Sequence, residues 1–164
     1  AVWLVWLLLL QSLSSVVLSR FQPLVQANVV LALFLTMLTG TGGNAGNQSS
    51  AIVIRGLATG EISWNSARRV FFRELIVGVC ISAILGAVGF ARVYFTSRQL
   101  EASIAVSSAL VFTVIFGVAF GTLSPIILQR LGIDPCNCAS PALSTVTDIA
   151  GVLLLCLTAS AILR

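Results

Sequence analysis

The chain has 164 residues, of which 58% are hydrophobic and only 9% are charged, a composition too apolar for a soluble domain. It contains no His, which excludes His-based metal sites and catalysis by a Ser-His or Cys-His pair. Its nine basic residues, all Arg, and five acids give a net charge of +4, which we attribute to membrane anchoring and not to nucleic-acid binding. Because about 20 apolar residues cross a membrane, the length predicts about five crossings.

The first predicted span covers residues 1–19. It holds no charge, is followed by Arg20 and Pro23, and places Trp3 and Trp6 where aromatic rings lie near a membrane interface. The start of the chain lacks the basic segment and the cleavage site of a signal peptide, so we expect this span in the mature protein. Since the chain does not begin with Met, we expect it to be a piece of a longer one.

The second predicted span, residues 24–54, lies in a segment without charge that extends from Phe21 to Ile54. This segment is longer than one straight crossing requires. We therefore expect either a long, tilted helix or a helix that is broken in its glycine-rich middle.

Glycines and amides recur in this middle with the spacing of one helical face. Amides in hydrocarbon are costly unless they meet a partner helix or water. The face is therefore either a hydrogen-bonded seam between helices or a solvated pathway, and the spacing favours neither. We call it the amide face; its members are Gly40, Gly43, Asn44, Asn47 and Gln48.

The third and fourth predicted spans are residues 73–92 and 102–126, the fourth ending at Pro125 or soon after. An Arg-rich connector precedes the third span, and the clustering of its charges predicts that it lies in the cytoplasm or its organellar equivalent, with the cell membrane and an organellar membrane equally open. Small residues recur every four positions on both spans, a spacing that lets helix backbones approach closely. We interpret these stripes, Gly78, Ser82 and Gly86 on one span and Gly117 and Gly121 on the other, as packing surfaces.

The fifth predicted span, residues 139–163, contains one carboxylate, Asp148. If the helix starts near Ser140, Asp148 lies about 12 Å along it, close to the bilayer midplane. An ionised carboxylate alone at that depth costs several kcal/mol unless it meets water or a cation.

The side of this span that bears Asp148 is rich in hydroxyls, because Ser144 and Gly151 share its face and Thr145 and Thr147 flank it. Asp148 could line an ion pathway, be protonated and hydrogen-bonded, or pair with an Arg. No Arg falls inside the uncharged segment of any predicted span, which in the third span covers residues 75–91, so we favour the ion pathway.

Other chemistry finds little support. An intramembrane aspartyl protease needs two facing Asp, but Asp134 lies in a connector, and Cys136 and Cys138 have no further ligands with which to bind zinc. We predict no catalytic residue. A hard cation suits the available hydroxyls, amides and single carboxylate, and Mg²⁺ in particular would keep its waters. Two chains would supply two Asp148 side chains to one pore.

Several longer motifs follow one another along the chain. They are the glycine-rich stretch from Gly40 to Ser49, RGLATGEI at 55–62, RRVFFRE at 68–74, LGIDP at 131–135 and STVTDIAG at 144–151. In order and spacing they resemble the MgtE-type magnesium transporters and their eukaryotic solute-carrier relatives.

The resemblance implies a homodimer of five-span protomers in a lipid bilayer, with a Mg²⁺ pore between the protomers lined by spans two and five. It implies that Asp148 recognises hydrated Mg²⁺, near the backbone carbonyl of Ser144 and the side chain of Asn47. Asn44 and Gly43 of the amide face complete the predicted metal site. The rival hypotheses are a cation-coupled Mg²⁺ exchanger and a membrane assembly subunit that transports nothing.

The chain departs from the bacterial members in two respects. They carry a Pro shortly before the glycine-rich motif, where this chain has Thr36, so the resemblance does not imply a kink there. They also carry a cytosolic N-terminal domain and a pair of CBS modules that sense Mg²⁺. We expect residues 1–164 to form the pore domain alone, without these regulatory modules, and we predict transport of Mg²⁺ with other divalent cations left open.

Overall fold

The computed structural model describes residues 2–163, which form helices and short connectors without any strand. All the long helices, that is, all except α2, are apolar enough to cross a membrane. The predicted all-α architecture with five candidate spans is confirmed. The helices are α1 (Val2–Arg20), α2 (Gln22–Ala27), α3 (Val29–Ala58), α4 (Ala67–Ser97), α5 (Leu100–Arg130) and α6 (Pro135–Ile162).

The last helix begins earlier than the sequence predicts. Asp134 caps α6, since its carboxylate accepts a hydrogen bond of 2.9 Å from the backbone N–H of Cys136, and Pro135 stands at the first helical position, where no N–H is needed. The helix therefore does not start near Ser140 but five residues earlier, whereas the membrane span at 139–163 stays a prediction. Pro141 lies inside the helix, just as Pro125 lies inside α5.

The second span is interrupted, but not where the glycines are. The break lies at Asn28, between the short helix α2 and α3, whereas α3 continues through Thr36 and the whole glycine-rich motif. The alternative of a helix broken in its glycine-rich middle is therefore wrong. The glycines do not interrupt the helix because several of them pack tightly against α5.

Helix α5 is the central element of the fold, since it packs against α3, α4 and α6. Helix α6 also contacts α3 and carries α1 on another side. The main apolar core lies among α3, α4, α5 and α6, and it includes Leu38, Val93, Val106, Val114 and Leu155. Burial of this core fixes which face of α3 and of α6 is turned inward.

The backbones of α3 and α5 meet through glycines. A Cβ added at Gly46 would lie 2.6 Å from the carbonyl oxygen of Gly117, and one at Gly117 or Gly121 would collide with the carbonyl of Gly42 or Gly46. The α5 stripe is thus confirmed as a packing surface. Gly42 and Gly46 belong to a different side of α3 from the amide face.

The stripe on α4 is confirmed as well. A Cβ at Gly78 would lie 2.8 Å from Val118, a Cβ at Gly86 would lie 2.5 Å from Val111, and Ser82 between them is buried. The side chains of α5 thus occupy the space that these small residues leave open.

Candidate ion site

The amide face of α3 is largely uncovered by the rest of the chain. A Cβ added at Gly40 or Gly43 would meet no heavy atom within 4 Å, and the side chains of Asn44 and Gln48 are exposed. Asn47 is drawn toward α6, and Gln48, although exposed, lines a cleft beside α4. Most of the face is therefore not a seam between helices of one chain.

Asn47 joins α3 to α6. The hydroxyl of Ser140 donates a hydrogen bond of 2.8 Å to Oδ1 of Asn47, and the hydroxyl of Ser144 donates to the backbone carbonyl of Ser140 at 3.2 Å. Two of the predicted site residues, Asn47 and Ser144, are thus connected through one residue, Ser140, that the sequence interpretation did not include. Its signal was a hydroxyl four residues before Ser144, on the same side of the helix.

Asp148 lies one turn beyond Ser144 and is half-buried. It is the fourteenth of the 28 residues of α6, which places it about 20 Å along the helix. The sequence predicted about 12 Å from a helix start near Ser140, and this distance is too short because α6 starts at Pro135. Asp148 nevertheless lies at the centre of the helix, as predicted.

The hydrogen-bond partner of Asp148 comes from α1. Nε2 of Gln11 donates to Oδ2 of Asp148 at 2.9 Å. Gln11 is the tenth of the 19 residues of α1, so two polar groups from the middle of two helices meet. The sequence interpretation missed Gln11, although an amide in the middle of an apolar span needs a partner. The partner of Asp148 is a neutral amide and not an Arg.

The predicted hydroxyl stripe around Asp148 is narrower than expected. Thr145 and Thr147 are buried within the chain, and Gly151 faces α3, where an added Cβ would lie 2.8 Å from Thr39. Thr145 donates to the carbonyl of Pro141. Gly151 therefore does not share the open face of Asp148, and the two flanking threonines are closed off inside the chain, Thr147 beside Gly42 of α3. Ser140 and Ser144 remain.

A second acid lies closer to the interior than the sequence suggests. Glu74 of α4 is half-buried and, with Gln48 and Ser49 of α3, lines a cleft of about 40 Å³. In residues 2–163 no three His, Cys, Asp or Glu side chains stand close enough to hold a metal together. The described part of one chain therefore lacks a cage of charged side chains.

The fold and this site describe a multi-pass integral membrane protein with a single central carboxylate beside an uncovered amide face. A sequence profile of the MgtE family, described as a divalent cation transporter, matches residues 35–158. The chain belongs to this family.

Curated relatives extend the similarity. The chain is 36% identical over 152 residues to the magnesium transporter MgtE of Thermus thermophilus and 34% identical over 153 residues to that of Bacillus subtilis. Each similarity covers 93% of this chain and 34% of the relative, as does a 29% identity to the MgtE of Enterococcus faecalis. The chain thus spans about a third of the length of these relatives. The relation to eukaryotic solute carriers stays a prediction.

Proposed function

We propose that the chain forms the ion-conducting part of a Mg²⁺ transporter. The observation that carries the proposal is the Asp148 carboxylate at the middle of α6, half-buried and held by a neutral partner. An intramembrane acid without a cationic partner is expected to face water or a transported cation. The MgtE relatives are named magnesium transporters, and this supports Mg²⁺ as the ion.

The pathway runs between the amide face of α3 and the line of Ser140, Ser144 and Asp148 on α6. The hydrogen bond between Asn47 and Ser140 supports this pairing because it ties the two polar surfaces together. Asn44 is exposed, whereas Gly43 is itself buried although a Cβ there would meet no heavy atom within 4 Å, so a hydrated ion would first meet the side chain of Asn44. Asp148, Ser144, Asn47, Asn44 and Gly43 form the proposed metal site.

The pathway is completed by a second copy of the chain. Amides exposed to hydrocarbon carry a cost of a few kcal/mol each, and within one protomer Asn44 and Gln48 are both exposed. A homodimer that joins two amide faces removes this cost and brings two Asp148 carboxylates to one pore. Their combined charge matches that of one divalent cation, whose waters would donate hydrogen bonds to them.

Transport of Mg²⁺ through purified protein in liposomes tests this function. A Mg²⁺-sensitive dye trapped inside should report entry driven by the Mg²⁺ gradient alone, at least about tenfold above empty liposomes, because a continuous polar path needs no second ion. If Mg²⁺ enters only when another cation has a gradient in the opposite direction, the protein is an exchanger. Absence of entry under both conditions would favour the assembly subunit that transports nothing.

A further inference from the structure

We infer that Gln11 is a positioning residue. It holds the carboxylate of Asp148 in the orientation in which this group recognises the ion. This inference rests on the proposed function of Asp148 as the recognition group. It assigns to α1, a helix that contributes nothing to the amide face, a direct part in the affinity of the pore for Mg²⁺.

The surroundings of Gln11 indicate that its amide is placed for this contact. Helix α1 contacts only α6 and α2 among the described elements, and most of its large apolar side chains are exposed, including Leu4, Leu8 and Leu13. Gln11 is the one amide between Val2 and Arg20. An amide in an apolar helix costs free energy unless it is hydrogen-bonded, and its partner here is Asp148.

The chemistry of the contact explains its use. An ionised carboxylate only accepts hydrogen bonds and offers about four acceptor positions on two oxygens. Gln11 binds Oδ2, and within residues 2–163 the hydrogen bonds leave Oδ1 without a donor. Oδ1 is thus available to the waters of an ion. Because the terminal torsion of an Asp side chain is broad, a fixed Oδ2 restricts the directions in which Oδ1 can point.

Orientation affects affinity because the ion is recognised through its waters. A hydrated Mg²⁺ presents donors in a fixed octahedral arrangement, so acceptors that are already aligned lose less freedom on binding. Without Gln11 the carboxylate would sample more orientations. The expected result is weaker binding with an unchanged maximal rate.

The test is Gln11→Met, which keeps the length and shape of the side chain but removes the donor. Mg²⁺ flux into liposomes should show a half-saturating concentration raised about tenfold, consistent with the loss of one charge-assisted hydrogen bond, and a maximal flux within about twofold of the original. Gln26→Met, at an exposed amide of α2, is the matched control and should leave both quantities unchanged.

A second measurement does not depend on transport. Mg²⁺ should raise the melting temperature of the detergent-solubilised protein, and Gln11→Met should require about tenfold more Mg²⁺ for the same rise. If Gln11→Met lowers the melting temperature without Mg²⁺ but leaves both Mg²⁺ dependences unchanged, Gln11 only holds α1 to α6 and the inference is wrong. Unchanged values throughout would also overturn it.

The failure of the proposed function would look different. If Asp148→Asn retains full flux, Asp148 does not recognise the ion, whatever Gln11→Met shows. If Asp148→Asn loses flux while Gln11→Met keeps its half-saturating concentration, only the role of Gln11 is refuted.

Discussion

Asp148→Asn is expected to lower Mg²⁺ flux by at least about a hundredfold, because it removes the only carboxylate in the proposed pathway and loses the charge-assisted hydrogen bonds to the waters of the ion. The two side chains are nearly the same in shape. The hydrogen bond from Gln11 to Oδ2 has a counterpart in the variant, since an Asn carbonyl oxygen can accept it. The protein should therefore fold, and flux into liposomes is the measurement.

The chain offers a matched control for this substitution. Asp134→Asn makes the same chemical change at the exposed N-cap of α6, where Asn and Asp cap a helix about equally well. Flux through this variant should stay within about twofold of the original if the proposed pathway is correct. Undiminished flux through Asp148→Asn, or an equal loss in both variants, would remove the reason for placing the ion at Asp148.

Gly46→Ala should destabilise the fold by roughly 2–3 kcal/mol, although Ala forms helices better than Gly by about 1 kcal/mol. The new Cβ would lie 2.6 Å from the carbonyl oxygen of Gly117 and 3.1 Å from Leu143. A backbone atom cannot move aside as a side chain does, so α3 and α5 must separate. The melting temperature in detergent, followed by the loss of monodisperse protein, measures the effect.

Gly40→Ala provides the comparison on the same helix. A Cβ at Gly40 would meet no heavy atom of its own chain within 4 Å, so in protein kept monomeric in detergent the higher helix propensity of Ala should act alone and leave the melting temperature equal or slightly raised. Gly46→Ala should therefore lower the melting temperature, whereas Gly40→Ala should leave it unchanged or raise it slightly. A similar decrease in both variants would show that glycine at these positions serves the helix itself and not its contact with α5.

The number and order of the spans could be predicted from the sequence because charges and turn residues separate long apolar segments. Asp148 could also be found from the sequence, because a single acid inside a long apolar segment has a clear energetic cost. The packing stripes on α4 and α5 were also predictable, because small residues four positions apart favour close helix contact whichever helix is the partner.

The contacts between helices could not be predicted in the same way. Spacing shows which residues share a face, but it does not show which neighbour that face meets. Gly151 was therefore assigned to the face of Asp148, whereas it lies against Thr39 of α3, and the flanking Thr145 and Thr147 are buried within the chain. Gln11 and Asp148 are 137 residues apart, and only the position of α1 on α6 brings them together.

An experimental structure of the protein in saturating Mg²⁺ tests the central claim most directly through the distance from the bound ion to the Asp148 oxygens. We expect one ion between two protomers, more than about 3.5 Å from the carboxylate of each Asp148, with waters of the ion in between. Direct ligation at about 2.0–2.1 Å, with most waters lost, would contradict recognition of the hydrated ion. An ion bound away from Asp148, or within a single protomer, would contradict the proposed pathway itself.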